Sequence, residues 1–400
     1  MTTLASEPST QTTVVDGPLH LDDALLQRIS DRADAYDAAG EFFTDDFAEL
    51  RDAGYYRAPV PVEFGGSETS LADLARWHRR IAYRSSATAL ASGMHLFWVG
   101  AAADLHRAGD DSADWILRAV ADGAIFAAGH SESGNDLGLG GSTTEAVRDA
   151  QGGYRFTGHK HFTSLSPVWT HLGVHGLDTA DGTSIVHGFI DRNDPGVRTV
   201  ENWNTFALRA TRSDDTALDG AYSPADRIIA ITGPGHPDSA YVTSFAAWAL
   251  TLTSNVYLGL AQRAFDVAVE SVTGRASARL EGAPRSSDPL IQGVLADAVV
   301  ELDAIEAHLD LTAAAWTSDP TPSLAWGRRL QSAKQHATTG AKRVVDSALQ
   351  IVGGRGLHHG STIERLYRDV AAGTLHNPTP HTIRLTLGSP DFTARNSFDR

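Results

Sequence analysis

The residues able to do chemistry gather in a few short runs. Ser131-Glu132-Ser133 offers two hydroxyls around a carboxylate, and Lys160-His161-Phe162-Thr163-Ser164 adds a cation, an aromatic ring and two more hydroxyls. His376 stands beside Asn377-Pro378, and an imidazole that titrates near neutrality suits proton transfer. Two glycine clusters, Gly138-Leu139-Gly140-Gly141 and Gly353-Gly354-Arg355-Gly356, suggest phosphate loops. Neither is a GxGxxG that follows a strand and opens a helix. Gly353 follows the helical run Val344–Ile351, so it reads first as a helix stop. Gly129-His130-Ser131-Glu132-Ser133 is not GxSxG, and no nucleophile elbow is present. The 17 histidines include no HExxH and no helically spaced pair backed by carboxylates, so no metal site is expected. With Cys 0, disulfides, thiol nucleophiles and thiolate-bound zinc or iron–sulfur centres are excluded.

Those runs must be positioned by a sizeable globular fold. The 400 residues are 42% hydrophobic and 20% charged, which is enough apolar material for two or three packed units. An excess of 49 Asp+Glu over 33 Lys+Arg, net −16, argues against a nucleic-acid partner and against anionic membranes. No run of about 18 apolar residues predicts a membrane span. Residues 1–20 read as a flexible tail, not a signal peptide, and the expected location is cytoplasmic.

Periodicity divides the remainder. Residues 21–123 form an N-terminal α-helical domain, in which Leu71, Leu74, Trp77 or His78, and Ile81 share a face while Arg76, Arg79 and Arg80 lie largely opposite. Residues 124–236 form a β domain: Gly152-Gly153 separates the arms of a hairpin, and short strands follow at His171–Gly176, Ser184–Ile190 and Val197–Val200. Strands so closely spaced predict an antiparallel sandwich or barrel of ~100 residues. Residues 237–400 return to helices, with Phe245, Trp248, Leu252, Val256 and Leu260 on one buried stripe, and close on a C-terminal tail. The fold class is α+β: helical, then β, then a four-helix-like bundle.

Six segments in this order resemble the acyl-CoA dehydrogenase superfamily from about residue 20 to residue 388. They are Pro61–Gly66, Ser131–Asp136, Gly158–Ser164, Arg209–Asp215, Gln350–Gly356 and Glu364–Asp369. The resemblance implies an acyl-CoA dehydrogenase-like fold, usually a homotetramer, with FAD (FMN the alternative) between the β domain and the bundle. It assigns Phe162, Thr163 and Ser164 to the isoalloxazine ring, and Ser131 and Ser133 to the loop beside it. Gln350, Gly353 and Gly354 would receive the adenosine diphosphate of a neighbouring subunit's FAD, the alternative being plain turn geometry. Arg275 or Arg279 would hold the pyrophosphate, although the family's Arg-x-x-Phe-Gly pattern is absent.

The departures from that family are specific. A dehydrogenase needs a carboxylate base, and the two places where the family keeps it hold Asn377 and the stretch around Trp248-Ala249. The segments around Asn255, Lys160 and Leu375-His376-Asn377-Pro378 are similar instead to flavin-dependent two-component monooxygenases of the dibenzothiophene-monooxygenase type. That branch implies reduced flavin from a separate NAD(P)H-dependent reductase, and oxygen transfer through a C4a-hydroperoxyflavin to an amine nitrogen, a sulfur or an aromatic carbon. In this reading His376 is the acid/base, and the Ser164 hydroxyl stands beside flavin N5. His95 is either an active-site wall or a core histidine. Phe97, Trp248, Tyr257 and Asn377 line a substrate pocket, joined by Trp98, Trp203, Phe206 and Phe245, the alternative for all these aromatics being plain core. The alternative function is an acyl-CoA dehydrogenase or flavin oxidase with a displaced base.

Overall fold

The computed structural model describes residues 19–233, 239–321 and 323–389. Most of the expected N-terminal tail, the 236/237 boundary, Pro322 and the C-terminal tail lie outside them. The first helices are α1 (Asp23–Ala39), α2 (Thr44–Asp52), α3 (Leu71–Arg84), α4 (Ser86–Arg107) and α5 (Asp114–Ala121). Side chains start three of them: Asp22 accepts from Leu25 N–H, Ser70 from Asp73 N–H and Ser85 from Thr88 N–H. Each satisfies a donor that the first helical turn otherwise leaves unpaired.

Eight strands follow: β1 (Phe126–Gly129), β2 (Glu145–Arg148), β3 (Tyr154–Lys160), β4 (His171–Asp178), β5 (Ile185–Asp191), β6 (Val197–Val200), β7 (Asp215–Ser223) and β8 (Ile228–Thr232). The β2–β3 hairpin forms across Gly152-Gly153 as expected, pairing Arg148 with Tyr154. The sheet runs β6-β7-β3-β2-β4-β5-β8, with β1 also on β4. The all-antiparallel expectation fails at one place, because β1 and β2 both run parallel to β4, beside His171–Val174 and Leu177–Asp178 respectively. The chain thus leaves β4's edge after Gly129 and rejoins it at Glu145. The excursion between them carries Ser131 and Ser133.

The third layer is α6 (Ala240–Thr273), α7 (Pro289–Ser318), α8 (Leu324–Val352), α9 (Thr362–Ala371) and α10 (Pro380–Leu387). The stripe Phe245, Trp248, Leu252, Val256 and Leu260 is buried along α6. The first half of α6 joins the core shared with the N-terminal helices and the sheet, while its second half joins α7–α9. α6 packs closely on its neighbours: a Cβ on Gly100 of α4 would sit 2.0 Å from the Trp248 ring. Arg79 corrects the two-faced reading of α3. It is 6% exposed and bonds Asn255 on α6 and Glu306 and Asp310 on α7. Arg79, on the side opposite the apolar stripe, packs on two helices, and its charge is matched there.

Candidate active site

The excursion after β1 is anchored by one buried ion pair. Glu132 receives Lys160 Nζ, the N–H groups of Thr143 and Thr144 at 2.9 and 3.2 Å, and the Ser142 and Thr144 hydroxyls. Lys160 also donates to the His175 carbonyl at 2.7 Å. His161 N–H bonds the Ser131 carbonyl at 2.8 Å, so the Ser131–Ser133 loop and the end of β3 lie side by side. Ser131 is half-buried and Ser133 exposed.

Phe162 turns its ring outward. Its backbone is left-handed, φ 59°, and the ring is 58% exposed, edge-on to Trp203 at 6.2 Å. An exposed aromatic on a rarely used backbone conformation points to a partner surface. Thr163 and Ser164 face inward. Thr163 Oγ1 accepts from Thr216 at 3.0 Å, and Ser164 Oγ lies 2.7 Å from Ser213 Oγ. The protons along that chain can be assigned, since each hydroxyl has one. Thr211 donates to the Leu208 carbonyl, so Ser213 donates to Thr211, and Ser164 to Ser213. Ser164 therefore keeps only lone pairs for a ligand.

His376 Nε2 lies 2.7 Å from the hydroxyl of Tyr257, which is fully buried on α6. Burial, then Lys334, pulls the His376 imidazole down to about 4, so it is neutral at pH 7. The ring is thus neutral at rest, where the expectation was an imidazole titrating near neutrality. Lys334 Nζ donates to the His376 and Pro378 carbonyls at 2.9 Å each, and burial lowers its pKa to about 8. A buried ammonium thus grips the turn from behind. Asn377 is exposed beside it.

Two assigned residues leave the site. His95 Nδ1 accepts from Phe126 N–H at 3.0 Å, so Nε2 carries the proton and donates to the Tyr56 carbonyl at 2.8 Å. Both ring nitrogens are taken, and burial holds the ring neutral with a pKa of about 4. His95 ties α4 to β1 and is a structural residue. Trp248 is fully buried, and its indole N–H donates to Asp104 Oδ2, which also receives Trp316 at 2.9 Å. It is core, not pocket wall, and Asp104 is saturated rather than a displaced base.

Phe97 remains among aromatics, edge-on to Phe245 at 5.9 Å, with Trp98, His130 and Tyr241 completing the group. His130 Nε2 and Tyr241 Oη are buried there with no hydrogen-bond partner among the described residues. Buried polar atoms are almost always paired, so these two are candidates to meet a ligand. The sequence offered no signal for either beyond residue type.

At the far end of α8, Gly353 has φ 75°, and a Cβ on Gly353 or Gly354 would meet no atom within 4 Å. The backbone is open to approach, and Gln350 is exposed one turn earlier. Arg279 is paired with Asp288, whereas Arg275 faces Arg285 and Arg355. Partial burial, then those two cations, lowers the Arg275 pKa. None of the three makes an ion pair among the described residues. Clustered unpaired guanidiniums call for an anion, so Arg275 is preferred to Arg279, with Arg285 and Arg355 missed from sequence. The open glycine backbone and the clustered arginines suit a phosphate-bearing ligand.

The N-terminal domain model of the acyl-CoA dehydrogenases matches residues 21–122, and the C-terminal domain model residues 251–380. "Putative acyl-CoA dehydrogenase YdbM" of Bacillus subtilis (strain 168) is 30% identical over 86% of this chain and 87% of its own. L-evernosamine nitrososynthase of Micromonospora sp. is 29% identical over 88% of this chain and 84% of its own. A solved structure of KijD3 with FMN and dTDP-3-amino-2,3,6-trideoxy-4-keto-3-methyl-D-glucose superposes at a TM-score of 0.81. It is 27% identical and covers 94% of this chain and 93% of that one. Dibenzothiophene monooxygenase of Mycolicibacterium goodii matches as well. The chain belongs to the acyl-CoA dehydrogenase superfamily and is a flavin-dependent oxidoreductase of the kind that includes its monooxygenase branch. No described helix is long and apolar enough to cross a membrane.

Proposed function

We propose that this protein is the oxygenase component of a two-component flavin system that oxygenates the amine nitrogen of an amino sugar. A separate NAD(P)H-dependent reductase supplies the reduced flavin. One observation carries the reading: a neutral imidazole hydrogen-bonded to Tyr257 stands next to Asn377, the amide at the position where the resemblance puts a dehydrogenase's carboxylate. The likeness to L-evernosamine nitrososynthase and to KijD3 supports nitrogen as the atom oxidised. The dehydrogenase reading, favoured by the likeness to YdbM, requires a base that neither Asn377 nor the Trp248–Ala249 stretch supplies.

Reduced flavin, when bound, activates dioxygen and supplies one oxygen atom. Phe162 would cover the ring, and Ser164's lone pairs would suit a protonated N5, which the oxidised flavin lacks. With Nε2–H donating to Tyr257 Oη, His376, uncharged at neutral pH, keeps the Nδ1 lone pair to accept a hydrogen bond from the substrate amine without repelling it. His130 Nε2 and Tyr241 Oη are free to meet the sugar's polar groups. Arg275, Arg285 and Arg355 bind phosphate. With the open Gly353–Gly354 backbone they favour FAD over the FMN seen with KijD3, and a tetramer in which they serve a neighbour's flavin.

The test is a coupled assay with a flavin reductase, NADH and a panel of nucleotide-linked amino sugars, followed by mass spectrometry. Substrate gaining oxygen is the expected result. No oxygenated product, together with anaerobic bleaching of the flavin by acyl-CoA thioesters, overturns the reading in favour of a dehydrogenase.

A further inference from the structure

His159 and His161 stand two residues apart at the end of β3, so strand alternation turns both imidazoles to one side. Asp215, the first residue of β7, faces them. Its Oδ2 lies 2.9 Å from His159 Nε2 and 2.9 Å from His161 Nδ1. The three ligand atoms all lie within 4.8 Å of one another. Asn202 orients the carboxylate from behind: its Nδ2 donates to Oδ2 at 2.9 Å, and Asp215 N–H donates to Asn202 Oδ1 at 3.1 Å. The Asp215 side chain is 10% exposed and the imidazoles 44% and 31%, so the cluster is fixed on the protein side and open to water on the other.

We propose that His159, His161 and Asp215 form a binding site for a divalent first-row transition ion, with water completing the coordination. Two imidazole nitrogens and one carboxylate suit zinc, cobalt, nickel or ferrous iron better than calcium or magnesium. Each nitrogen's 2.9 Å separation from Oδ2, on metal–ligand bonds of about 2.1 Å, subtends about 90° at the ion. That is the angle of neighbouring octahedral positions. Binding needs each facing nitrogen to present its lone pair. The proton moves to His159 Nδ1 and His161 Nε2, which have no hydrogen-bond partner among the described residues, so a neutral ring loses no net proton. Asp215 Oδ1 also accepts from Phe162 N–H at 3.3 Å. An ion here would therefore brace the turn that presents Phe162. Helically spaced histidines do not reveal this site, because its ligands sit at strand spacing with the third 54 residues on.

The test uses tag-free, chelator-treated, flavin-free protein titrated with cobalt(II) chloride and read by visible absorption and calorimetry, so it stands apart from the oxygenase reading. One ion per chain is expected. His159→Gln and His161→Gln should each weaken cobalt binding by about tenfold or more. The fully exposed His359→Gln should leave it unchanged. Both imidazoles are partly exposed, so the variants should keep the wild-type melting temperature in chelator. Absence of saturable binding, or binding that survives in the double variant His159→Gln/His161→Gln, overturns the site.

Discussion

At the scale of single residues, the site turns on which polar atoms still have something to give. His376 and Tyr257 hold each other at 2.7 Å, and the imidazole is neutral. His376→Ala should lower oxygenation by about a hundredfold or more, the usual span for a lost proton-handling group, while the flavin dissociation constant stays put. Equal turnover in that variant would remove His376 from the chemistry. Ser164→Ala removes an acceptor rather than a donor. It should raise the share of oxygen released as peroxide instead of transferred, measured as hydrogen peroxide per NADH consumed. Trp248→Phe gives the opposite signature. Losing the indole bond to Asp104 should cost about 1.5–3 kcal/mol of stability in urea melts, with turnover per folded molecule unchanged. The sequence marked Phe162, Ser164 and His376 because residue type and order are visible there. It left His95 open between site and core, and Arg279 open against Arg275, and it put Trp248 in the pocket, because hydrogen-bond occupancy depends on partners such as Phe126, Asp288 and Asp104 that residue type does not reveal.

At the scale of elements, α6 is the shared member of two cores, so its fit against α4 controls both. Gly100→Ala would drive a methyl into the Trp248 ring, 2.0 Å away. Overpacking of that kind should destabilise by about 1–3 kcal/mol, read as a lower urea midpoint at constant slope. An unchanged midpoint would show that the two helices separate freely. Helical stripes such as Phe245–Leu260 were legible, since a period of 3.6 shows directly in apolar spacing. The parallel course of β1 and β2 along β4 was not. Strand direction is set by where the chain re-enters the sheet, and a 15-residue excursion of Gly, Ser and Asn conceals that. The inward turn of Arg79 was hidden for a related reason. A charge reads as solvent-facing until the carboxylates of α7 are placed opposite it.

At the scale of the whole molecule, the protein stores several histidines as neutral core residues. Burial takes His78 down to about 3 and His95 to about 4. The unfolded chain binds protons at these rings near pH 6.5, but the folded chain does not until far lower. Their contribution to stability is therefore complete above about pH 6.5 and is lost as pH falls toward 4. His95 alone should account for about 3 kcal/mol across that window. Urea midpoints should drop steeply between pH 7 and pH 4.5, and a flat profile would contradict the buried neutral assignment. Self-repulsion from the net charge of −16 at pH 7 shrinks as the pH falls, so it is not the source of that drop.

The claim on which the rest depends is that this flavin site holds oxygen instead of taking hydride from a thioester. The most direct measurement loads the protein with flavin, reduces it without air, mixes it rapidly with oxygenated buffer and follows the flavin spectrum. Two separated phases are predicted, with a plateau before the oxidised spectrum returns, and an added amino-sugar substrate should hasten the second phase. A single phase of reoxidation that no amine alters, alongside anaerobic bleaching by an acyl-CoA, would contradict the account.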